Sequence, residues 1–373
     1  MDAAVDPLAG LGWDESFAGS FHAHDALGRV PGRVVAVHKE TSIVRTRGGD
    51  RAAAVSGRFR YEALSPAAYP AVGDWVALDP EPEPGGAEAV IAAVLPRRSV
   101  FRRSASDASR RGGGRAGDEQ VLAANIDVAL LVAGLDRDFS VRRMERYLAV
   151  AWSSEVTPVV VLNKADVADD LAARRVAVEA IAPGVPIVAL SALTHDGLAA
   201  LDPHLRPGST AVVLGSSGVG KSTLVNALLG EQRQATGAVR AADSRGRHTT
   251  THRELFRLAS GALVIDTPGI RSLEVAGADA GVESAFDDVA AVAERCRFAD
   301  CRHAGEPGCA VRAAIDAGEL DEARLESHRK LERELAHAVR RSDPVARLAE
   351  RKRWRAIQRS VGRHMEHKYG DEQ

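Results

Sequence analysis

The sequence predicts a multidomain α/β protein with three folded parts. Short strands separated by turns predict a small OB-like β-barrel over residues 33–96. Strands alternating with helices over residues 121–285 predict a parallel sheet that is covered on both faces. A Cys/His cluster followed by helices predicts a metal-binding helical domain over residues 286–373. An N-terminal tail, 1–32, and an arginine-rich linker, 97–120, complete the chain.

Overall composition narrows the class of protein. A length of 373 residues exceeds what one hydrophobic core usually supports, and the formal net charge of −2 does not by itself indicate a nucleic-acid partner. We see neither a signal peptide nor an apolar run of membrane-spanning length, so we expect a cytoplasmic protein without a membrane partner. We also expect a monomer. Three cysteines crowded into one stretch predict a metal site in a reducing compartment.

The first 120 residues contain the tail, the barrel and the linker. In the tail, which we expect to be loosely held, Trp13, Phe17 and Phe21 recur every four residues and predict a short helix docked on the body. OB-type barrels can bind oligonucleotides, although a small barrel need bind nothing. Glycines and a proline predict an irregular linker whose arginines are either solvated or contact a phosphate backbone. The predicted barrel strands are 33–37, 42–46, 51–55, 74–78 and 89–94, and the linker arginines are Arg97, Arg98, Arg102, Arg103, Arg110, Arg111 and Arg115.

The second part alternates between buried strand-like runs and helix-like runs. Apolar runs of four to six residues suit strands that are buried on both faces of a parallel sheet. The predicted strands are 128–133, 158–162, 187–190, 211–214, 255–258 and 262–265, and the predicted helices are 141–152, 171–181, 198–205 and 224–229.

A loop of the form GxxxxGKST lies between the fourth of these strands and a helix, which is the context that a phosphate-binding loop requires. Its glycines let backbone N–H groups turn towards a phosphate chain, and the following helix adds the positive end of its dipole. We expect Lys221 to reach the outer phosphates as a catalytic residue and the Ser222 hydroxyl to bind Mg²⁺. The loop predicts a nucleoside triphosphate without selecting its base. Its residues are Gly215, Ser216, Ser217, Gly218, Val219, Gly220, Lys221, Ser222 and Thr223.

A second motif, at the end of the strand 158–162, selects the base. The carboxylate of Asp166 can accept hydrogen bonds from the ring N–H and the exocyclic amine of guanine, whereas adenine presents the opposite polarity there. Asn163 is expected to fix the loop or meet the N7 side of the base, and the stem of Lys164 to cover the ring. A backbone N–H that follows the next strand can meet the guanine carbonyl. The residues assigned to the nucleoside are Asn163, Lys164, Ala165, Asp166, Ser191 and Ala192.

The segments that respond to the γ-phosphate come last. Asp266 is expected to hold Mg²⁺ through water, and the Gly269 N–H to meet the γ-phosphate. The polar segment 245–252 suits a mobile switch loop in which Thr250 completes the Mg²⁺ shell in the triphosphate state. Ile270 stands where Ras-like enzymes carry a water-orienting Gln, and an apolar side chain cannot orient water. His248 is therefore our catalytic candidate, the alternative being a solvated loop residue.

The order of these motifs is rotated relative to Ras-like GTPases, in which the phosphate loop comes first. Here the guanine motif precedes the loop, as in a circularly permuted GTPase, and such a permutation preserves a site when the original chain ends lie close together. The same rotation places the second switch beside the C-terminal domain, so we expect hydrolysis to be transmitted into that domain.

The C-terminal part contains a Cys-x₄-Cys-x-His-x₅-Cys pattern. Three thiolates and one imidazole suit a closed tetrahedral Zn²⁺ site of the structural type, the alternative being buried cysteines beside an unrelated His. The last helices have a positive local charge, which favours RNA contact over a merely solvated face. The predicted metal ligands are Cys296, Cys301, His303 and Cys309.

Together these motifs resemble the ribosome small-subunit-dependent GTPase A family of bacteria, from about residue 33 to the last helices. The segments 72–76 in the barrel and 246–251 in the switch also look like that family. The resemblance implies a GTPase that acts late in small-subunit assembly and binds rRNA through the barrel and the zinc domain. It implies slow hydrolysis of GTP to GDP and phosphate that the subunit accelerates, and release of other assembly factors. The alternatives are a GTP-gated RNA-binding switch and a GTPase of tRNA modification or translation.

Overall fold

The computed structural model describes residues 6–38, 41–80, 88–104, 119–136, 139–231, 253–266 and 279–342. In these ranges an eleven-stranded sheet runs from the N-terminal barrel into the phosphate-loop domain. The barrel strands are β1 (Val30–His38), β2 (Thr41–Thr46), β3 (Gly49–Val55), β4 (Trp75–Leu78) and β5 (Ala89–Val94). The later strands are β8 (Val128–Gly134), β9 (Thr157–Asn163), β10 (Ile187–Ala189), β11 (Thr210–Leu214), β12 (Arg253–Arg257) and β13 (Leu263–Asp266). The strand order in the sheet is β10-β9-β8-β11-β13-β12-β1-β2-β3-β5-β4.

The predicted five-stranded barrel is confirmed. The strands pair in the order β1-β2-β3-β5-β4, and β1 also pairs with β4, which closes the ring. All neighbours are antiparallel except β3 and β5. Inside the ring, inward-facing residues such as Val34, Val76 and Ile91 are fully buried. A short helix, α2 (Gly57–Glu62), follows β3.

The expectation of a loosely held N-terminal tail is wrong for residues 6–32, whereas the docked helix is confirmed. Asp14 caps the N-terminus of helix α1 (Glu15–Asp25), and its carboxylate accepts hydrogen bonds from the backbone N–H groups of Ser16 and Phe17. Phe17 and Phe21 are buried, and the Trp13 ring lies edge-on to Trp75, with ring centroids 4.7 Å apart. The tail is held because its aromatic side chains complete the core beside the barrel.

The linker 97–120 also differs from expectation, because both of its ends form strands. Strand β6 (Val100–Ser104) pairs antiparallel with strand β7 (Glu119–Ala124). Arg97 donates to both carboxylate oxygens of the fully buried Asp74. Arg98 pairs with Asp14 and lies 3.9 Å above the Phe17 ring, and Arg102 pairs with Glu119 at 3.2 Å. These three arginines therefore have intramolecular partners, and Arg110, Arg111 and Arg115 lie outside the described residues.

The alternating strands and helices of the second part are confirmed as a parallel sheet covered on both faces. Strands β10, β9, β8, β11 and β13 are parallel neighbours. Helices α3 (Val141–Ser153) and α4 (Leu171–Glu179) cover one face, where Leu148 and Val178 are fully buried. Helix α5 (Lys221–Leu229) covers the other face together with a 3-10 helix, Leu198–His204. That segment was predicted as an ordinary helix, and Pro203 inside it lacks the N–H that an α-helical hydrogen bond needs.

Strand β12 joins the barrel to the parallel strands of the phosphate-loop domain within the eleven-stranded sheet. The sequence did not predict this connection. One edge of β12 pairs antiparallel with β13 of the phosphate-loop domain. Its other edge pairs with β1 of the barrel, at Ala36 opposite Glu254 and Val37 opposite Arg253. The barrel is therefore connected to the nucleotide-binding sheet by main-chain hydrogen bonds and not only by the covalent chain.

The C-terminal helices form their own core against α3. They are α6 (Asp279–Ala285), α7 (Asp287–Ala293), α8 (Ala310–Asp316) and α9 (Glu322–Ser342). Leu325, Leu331 and Leu335 of α9 are buried together with Phe286. Gly281 of α6 lies so close to α3 that a Cβ there would meet the Ala149 carbonyl oxygen at 1.9 Å.

Within the described ranges, no helix is long and apolar enough to cross a lipid bilayer.

A buried cation connects the tail, the barrel and the start of the second part. The guanidinium of Arg33 donates to the carbonyl oxygens of Leu11, Gly73 (3.1 Å) and Asn125 (3.0 Å), and it lies 5.5 Å from the Trp75 ring centroid. Burial lowers the pKa of Arg33 to about 10, because desolvation disfavours the charged form.

We predict that Arg33→Met lowers the free energy of unfolding by about 3 kcal/mol, because the buried carbonyl groups of Leu11 and Asn125 lose the Arg33 donor and that of Gly73 keeps only the Asn125 amide. The measurement is chemical denaturation of the purified protein. Arg58→Ala is the control, since this arginine of α2 is largely exposed and forms an exposed ion pair with Glu62; it should change stability by less than about 0.5 kcal/mol. Equal effects of the two substitutions would contradict the role assigned to Arg33.

Candidate guanine-nucleotide site and metal centre

The phosphate loop leaves the carboxyl end of β11 and leads into α5, as predicted. Gly215 must be glycine, because a Cβ would lie 2.5 Å from the carbonyl oxygen of Val132. Gly220 has a φ of +95° and precedes the first residue of α5. A Cβ on Gly220 would lie 2.3 Å from Nδ2 of Asn163, so close packing as well as backbone conformation requires glycine. The N-terminus of α5 thus opens onto a loop that can cradle phosphates.

Lys221 and Arg143 both contact this loop. The ammonium group of Lys221 donates to the carbonyl oxygens of Gly215 (2.8 Å) and Ser216, so it already lies over the loop. Arg143, from the first turn of α3, donates to the Ser216 hydroxyl at 2.9 Å. Sequence reasoning missed Arg143, because its only signal is an arginine on a helix whose approach to the loop is a tertiary feature.

The side chain of Asn163 connects the guanine motif to the phosphate loop. This residue ends β9 and is 2% exposed. Its Nδ2 donates to the carbonyl oxygen of Val219 at 2.8 Å, and its Oδ1 accepts from the backbone N–H of Ala192 at 2.9 Å. The predicted function of Asn163 in fixing the loop therefore has a direct geometric basis. The N–H of Ala192, which belongs to the segment expected to meet the guanine carbonyl, is bonded to Asn163.

Lys164 crosses the site towards the phosphate loop. Its backbone adopts the left-handed conformation, with φ at 67°. Its ammonium group donates to the carbonyl oxygen of Gly218 at 2.7 Å and forms an ion pair with Asp136. Asp136 was not predicted as a site residue, although its place just after β8, at the carboxyl end of a parallel strand, is a signal that could have found it. Arg174 of α4 donates to the Asp136 carbonyl oxygen at 3.2 Å.

The expected base-reading carboxylate lies at the same edge of the sheet. Asp166 belongs to a one-turn 3-10 helix, Ala165–Val167, and is exposed to solvent. The N–H of Ala165 donates to the Leu190 carbonyl oxygen at 3.1 Å, which ties this turn to the loop after β10. In that loop the hydroxyl of the buried Ser191 accepts from the Thr194 N–H at 3.2 Å. The two segments assigned to the base therefore lie side by side.

Asp266, the predicted Mg²⁺ residue, also lies at this edge. It is the last residue of β13, which runs parallel to β11 with Ile265 opposite Val212. Its carboxylate is thus carried beside the strand that leads into the phosphate loop. His248, Thr250 and Gly269 lie outside the described residues, as do Ile270 and the rest of the switch 245–252.

The four predicted metal ligands come together in the C-terminal domain. The ligand atoms of Cys296, Cys301, His303 and Cys309 all lie within 4.8 Å of one another. Nδ1 of His303 is 3.6 Å from the Cys296 sulfur and 3.5 Å from the Cys309 sulfur. Ligand bonds of about 2.0–2.3 Å in a tetrahedron give separations of this size, so the donor set fits a tetrahedral cation such as Zn²⁺.

Neighbouring groups orient the metal ligands. Arg312 donates to the His303 carbonyl oxygen at 2.9 Å, and His303 has a left-handed φ of 57°. Glu306 accepts from the Ala304 N–H at 2.7 Å and so closes the loop between the ligands. Desolvation lowers the pKa of His303, which keeps its imidazole neutral as a metal requires.

The thiols of the cluster differ in acidity. Desolvation, reinforced by the neighbouring thiols, raises the pKa of Cys301 to about 11. Desolvation also raises the pKa of Cys296, but hydrogen bonds from the Val311 and Ala310 N–H groups outweigh it and lower the pKa overall. Cysteines bind metals as thiolates, so a bound cation would favour the Cys301 thiolate against the desolvation and the neighbouring thiols that raise its pKa.

Comparison with known proteins places this combination of sites in a family. A family model described as RsgA GTPase matches residues 94–276, and one described as 50S ribosome-binding GTPase matches residues 210–349. The second match begins at β11, the strand that leads into the phosphate loop.

Relatives and solved structures cover nearly the whole chain. A protein of Opitutus terrae named small ribosomal subunit biogenesis GTPase RsgA is 52% identical over 94% of this chain and 95% of its own length. A protein of the same name from Syntrophotalea carbinolica is 43% identical over 97% of this chain and 99% of its own length. The crystal structure of YjeQ from Thermotoga maritima has a TM-score of 0.58 at 30% identity, covering 83% of this chain and 99% of that one. The crystal structure of YloQ, described as a circularly permuted GTPase, shares the fold with a TM-score of 0.55 at 24% identity. The likeness covers 83% of this chain and 96% of that one. The chain therefore belongs to the RsgA GTPase family.

Proposed function

We propose that this GTPase binds the small ribosomal subunit and its rRNA, acts late in the assembly of that subunit, and hydrolyses GTP to GDP and phosphate faster when the subunit is bound. The observation that carries the proposal is the likeness, over more than nine-tenths of both chains, to relatives named small ribosomal subunit biogenesis GTPase. A cytoplasmic location follows from a role on ribosomal subunits. We also propose that the protein is a monomer that releases other assembly factors.

The arrangement of the site supports a role for each nucleotide-binding residue. The loop 215–223 would hold the phosphates, with Lys221 on the outer ones. Ser222 and Asp266 would hold Mg²⁺, the latter through water, and Thr250 would join the Mg²⁺ shell in the triphosphate state. Gly269 would donate its N–H to the γ-phosphate.

Slow hydrolysis in the absence of the subunit follows from the residue at position 270. Ile270 cannot orient a water molecule, so another group must do so. We propose His248 for this role, in a switch segment that the subunit orders. The rRNA would contact the barrel, the metal-binding domain and the basic residues near the C-terminus; the last lie outside the described residues.

The proposal predicts that GTP turnover rises at least about 10-fold on addition of purified small ribosomal subunits, because ordering of the switch supplies the missing catalytic group. Large subunits, free tRNA and buffer alone are the parallel arms of the measurement of released phosphate. Stimulation by tRNA alone would favour a role in tRNA modification or translation. Absence of stimulation by any arm would leave only a GTP-gated RNA-binding switch, and either result would overturn the proposal.

In the same assay, His248→Ala should reduce subunit-stimulated turnover at least about 10-fold while leaving GDP affinity unchanged, because the imidazole acts on water and not on the bound nucleotide. His252→Ala is the matched control in the same segment and should retain stimulation. If His248→Ala and wild type turned over GTP equally fast with subunits present, His248 would have no catalytic role.

We further propose that the Cys/His cluster holds one structural Zn²⁺. His303→Ala should lower the zinc content measured by atomic emission and the thermal midpoint of unfolding, because metal binding contributes to the folding of its domain. His22→Ala, an exposed histidine of α1, is the control and should retain both. Retention of a full equivalent of zinc by His303→Ala would contradict the assigned ligand set.

A further inference from the structure

Helix α3 contacts both functional regions through neighbouring residues. Near its N-terminus, Arg143 donates to the Ser216 hydroxyl of the phosphate loop at 2.9 Å. Two residues later, Glu145 points to the C-terminal domain and is 2% exposed. Because consecutive side chains point in different directions around a helix, one turn of α3 can contact two domains at once.

The contact with the C-terminal domain is a buried ionic network. Glu145 accepts from Arg324 at 2.6 Å and from the Ser327 hydroxyl, both on α9. Arg324 also pairs with Asp288 at 2.9 Å and lies 4.3 Å from the centre of the Phe286 ring. The side chains of Arg324 and Glu145 are 8% and 3% exposed. A buried pair of this kind is strongly destabilised when one partner is removed, so it fixes one geometry of α3 against α9.

A second ion pair extends the same interface. Arg146 of α3 donates to both carboxylate oxygens of Glu334, at 2.6 and 2.7 Å. The Arg142–Glu326 pair of the same two helices is more than half exposed at both partners, and exposed pairs contribute little. The interface thus contains a strong inner network and a weak outer pair on adjacent residues.

We propose that Arg143 is a positioning residue for the phosphate loop, and that α3 couples nucleotide affinity to the docking of the metal-binding domain. Arg143 and Glu145 lie two residues apart at the start of α3, where the N–H groups of Arg143 and Met144 both donate to the Ser140 carbonyl oxygen, so a shift of Glu145 also moves Arg143. When the Glu145 network holds α3 in place, Arg143 holds Ser216 in the geometry that binds phosphates. The coupling concerns nucleotide binding by the isolated protein and does not depend on the ribosomal subunit.

The test is a double-mutant cycle on the dissociation constant of a fluorescent GDP analogue. Arg143→Gln and Ser327→Ala should each raise the constant by about 2- to 30-fold, a range typical of coupling between sites. The double variant should resemble Arg143→Gln alone, because Ser327 acts on the loop through Arg143. Arg142→Gln is the matched control on the same helix and should bind the analogue as wild type does.

Two further measurements separate positioning from general loss of structure. Arg143→Lys should restore affinity to within about 2-fold, since an ammonium group can donate to the Ser216 hydroxyl in place of the guanidinium. Arg143→Gln should raise KM for GTP and leave kcat unchanged, as expected when uniform binding is lost. If Ser327→Ala lowers the folded fraction, Glu334→Gln replaces it in the cycle.

Two results would overturn the proposal. Wild-type affinity in Arg143→Gln would remove the positioning role. Independent, additive effects of Arg143→Gln and the α9 substitution would show that α3 does not carry the coupling.

Discussion

The nucleotide site depends on the buried side-chain amide of Asn163. It bonds to the phosphate loop at Val219 and to the segment after β10 at Ala192, and it approaches Gly220 so closely that no side chain fits there. Leaving a buried amide without partners costs about 1–3 kcal/mol, so the amide of Asn163 stabilises the three segments in contact with one another. Asn163 is separated from Val219 by 56 residues and from Ala192 by 29, and both partners follow it in the chain. The site therefore depends on which strand ends meet, not on their order, and this accounts for its preservation in a circularly permuted chain.

The permuted order also places another domain of the chain on either side of this site. On one side, β12 follows the switch 245–252 directly and pairs with β1, so the barrel shares a sheet with the strand ending at Asp266. On the other side, α3 contacts the phosphate loop and the C-terminal helices. As a member of a GTPase family the protein is a GTP hydrolase, and both flanking domains are connected to the elements that form the candidate nucleotide site.

Local patterns in the sequence predicted much of this architecture. The strands of the barrel and of the parallel sheet follow from apolar runs between turn residues, and the metal cluster follows from the spacing of Cys296, Cys301, His303 and Cys309. The aromatic residues at four-residue spacing predicted α1 because one face of a helix must find a core, and that core is built around Trp75.

Features that depend on tertiary neighbours were not predictable. The arginines near residue 97 suggested a solvated or RNA-binding linker, yet Arg97 is fixed by the buried Asp74, 23 residues earlier in the chain. The pairing of β1 with β12 joins residues more than 200 positions apart and has no local signal. Likewise, Arg143 and Glu145 look like ordinary charges of an amphipathic helix, and only the position of α3 between two domains gives them distinct partners.

The central claim is that the motif preceding the phosphate loop selects guanine through Asp166, and a change of base specificity tests it most directly. Asn at this position keeps an acceptor for the ring N–H but presents a donor to the exocyclic position, which matches the carbonyl group of xanthine. The measurement is binding of GDP and xanthosine diphosphate to Asp166→Asn, with Asp169→Asn, a nearby exposed carboxylate, as control. We predict at least about 100-fold weaker GDP binding and a preference for xanthosine diphosphate in Asp166→Asn alone. An unchanged preference for GDP would contradict the assignment of this motif to the base.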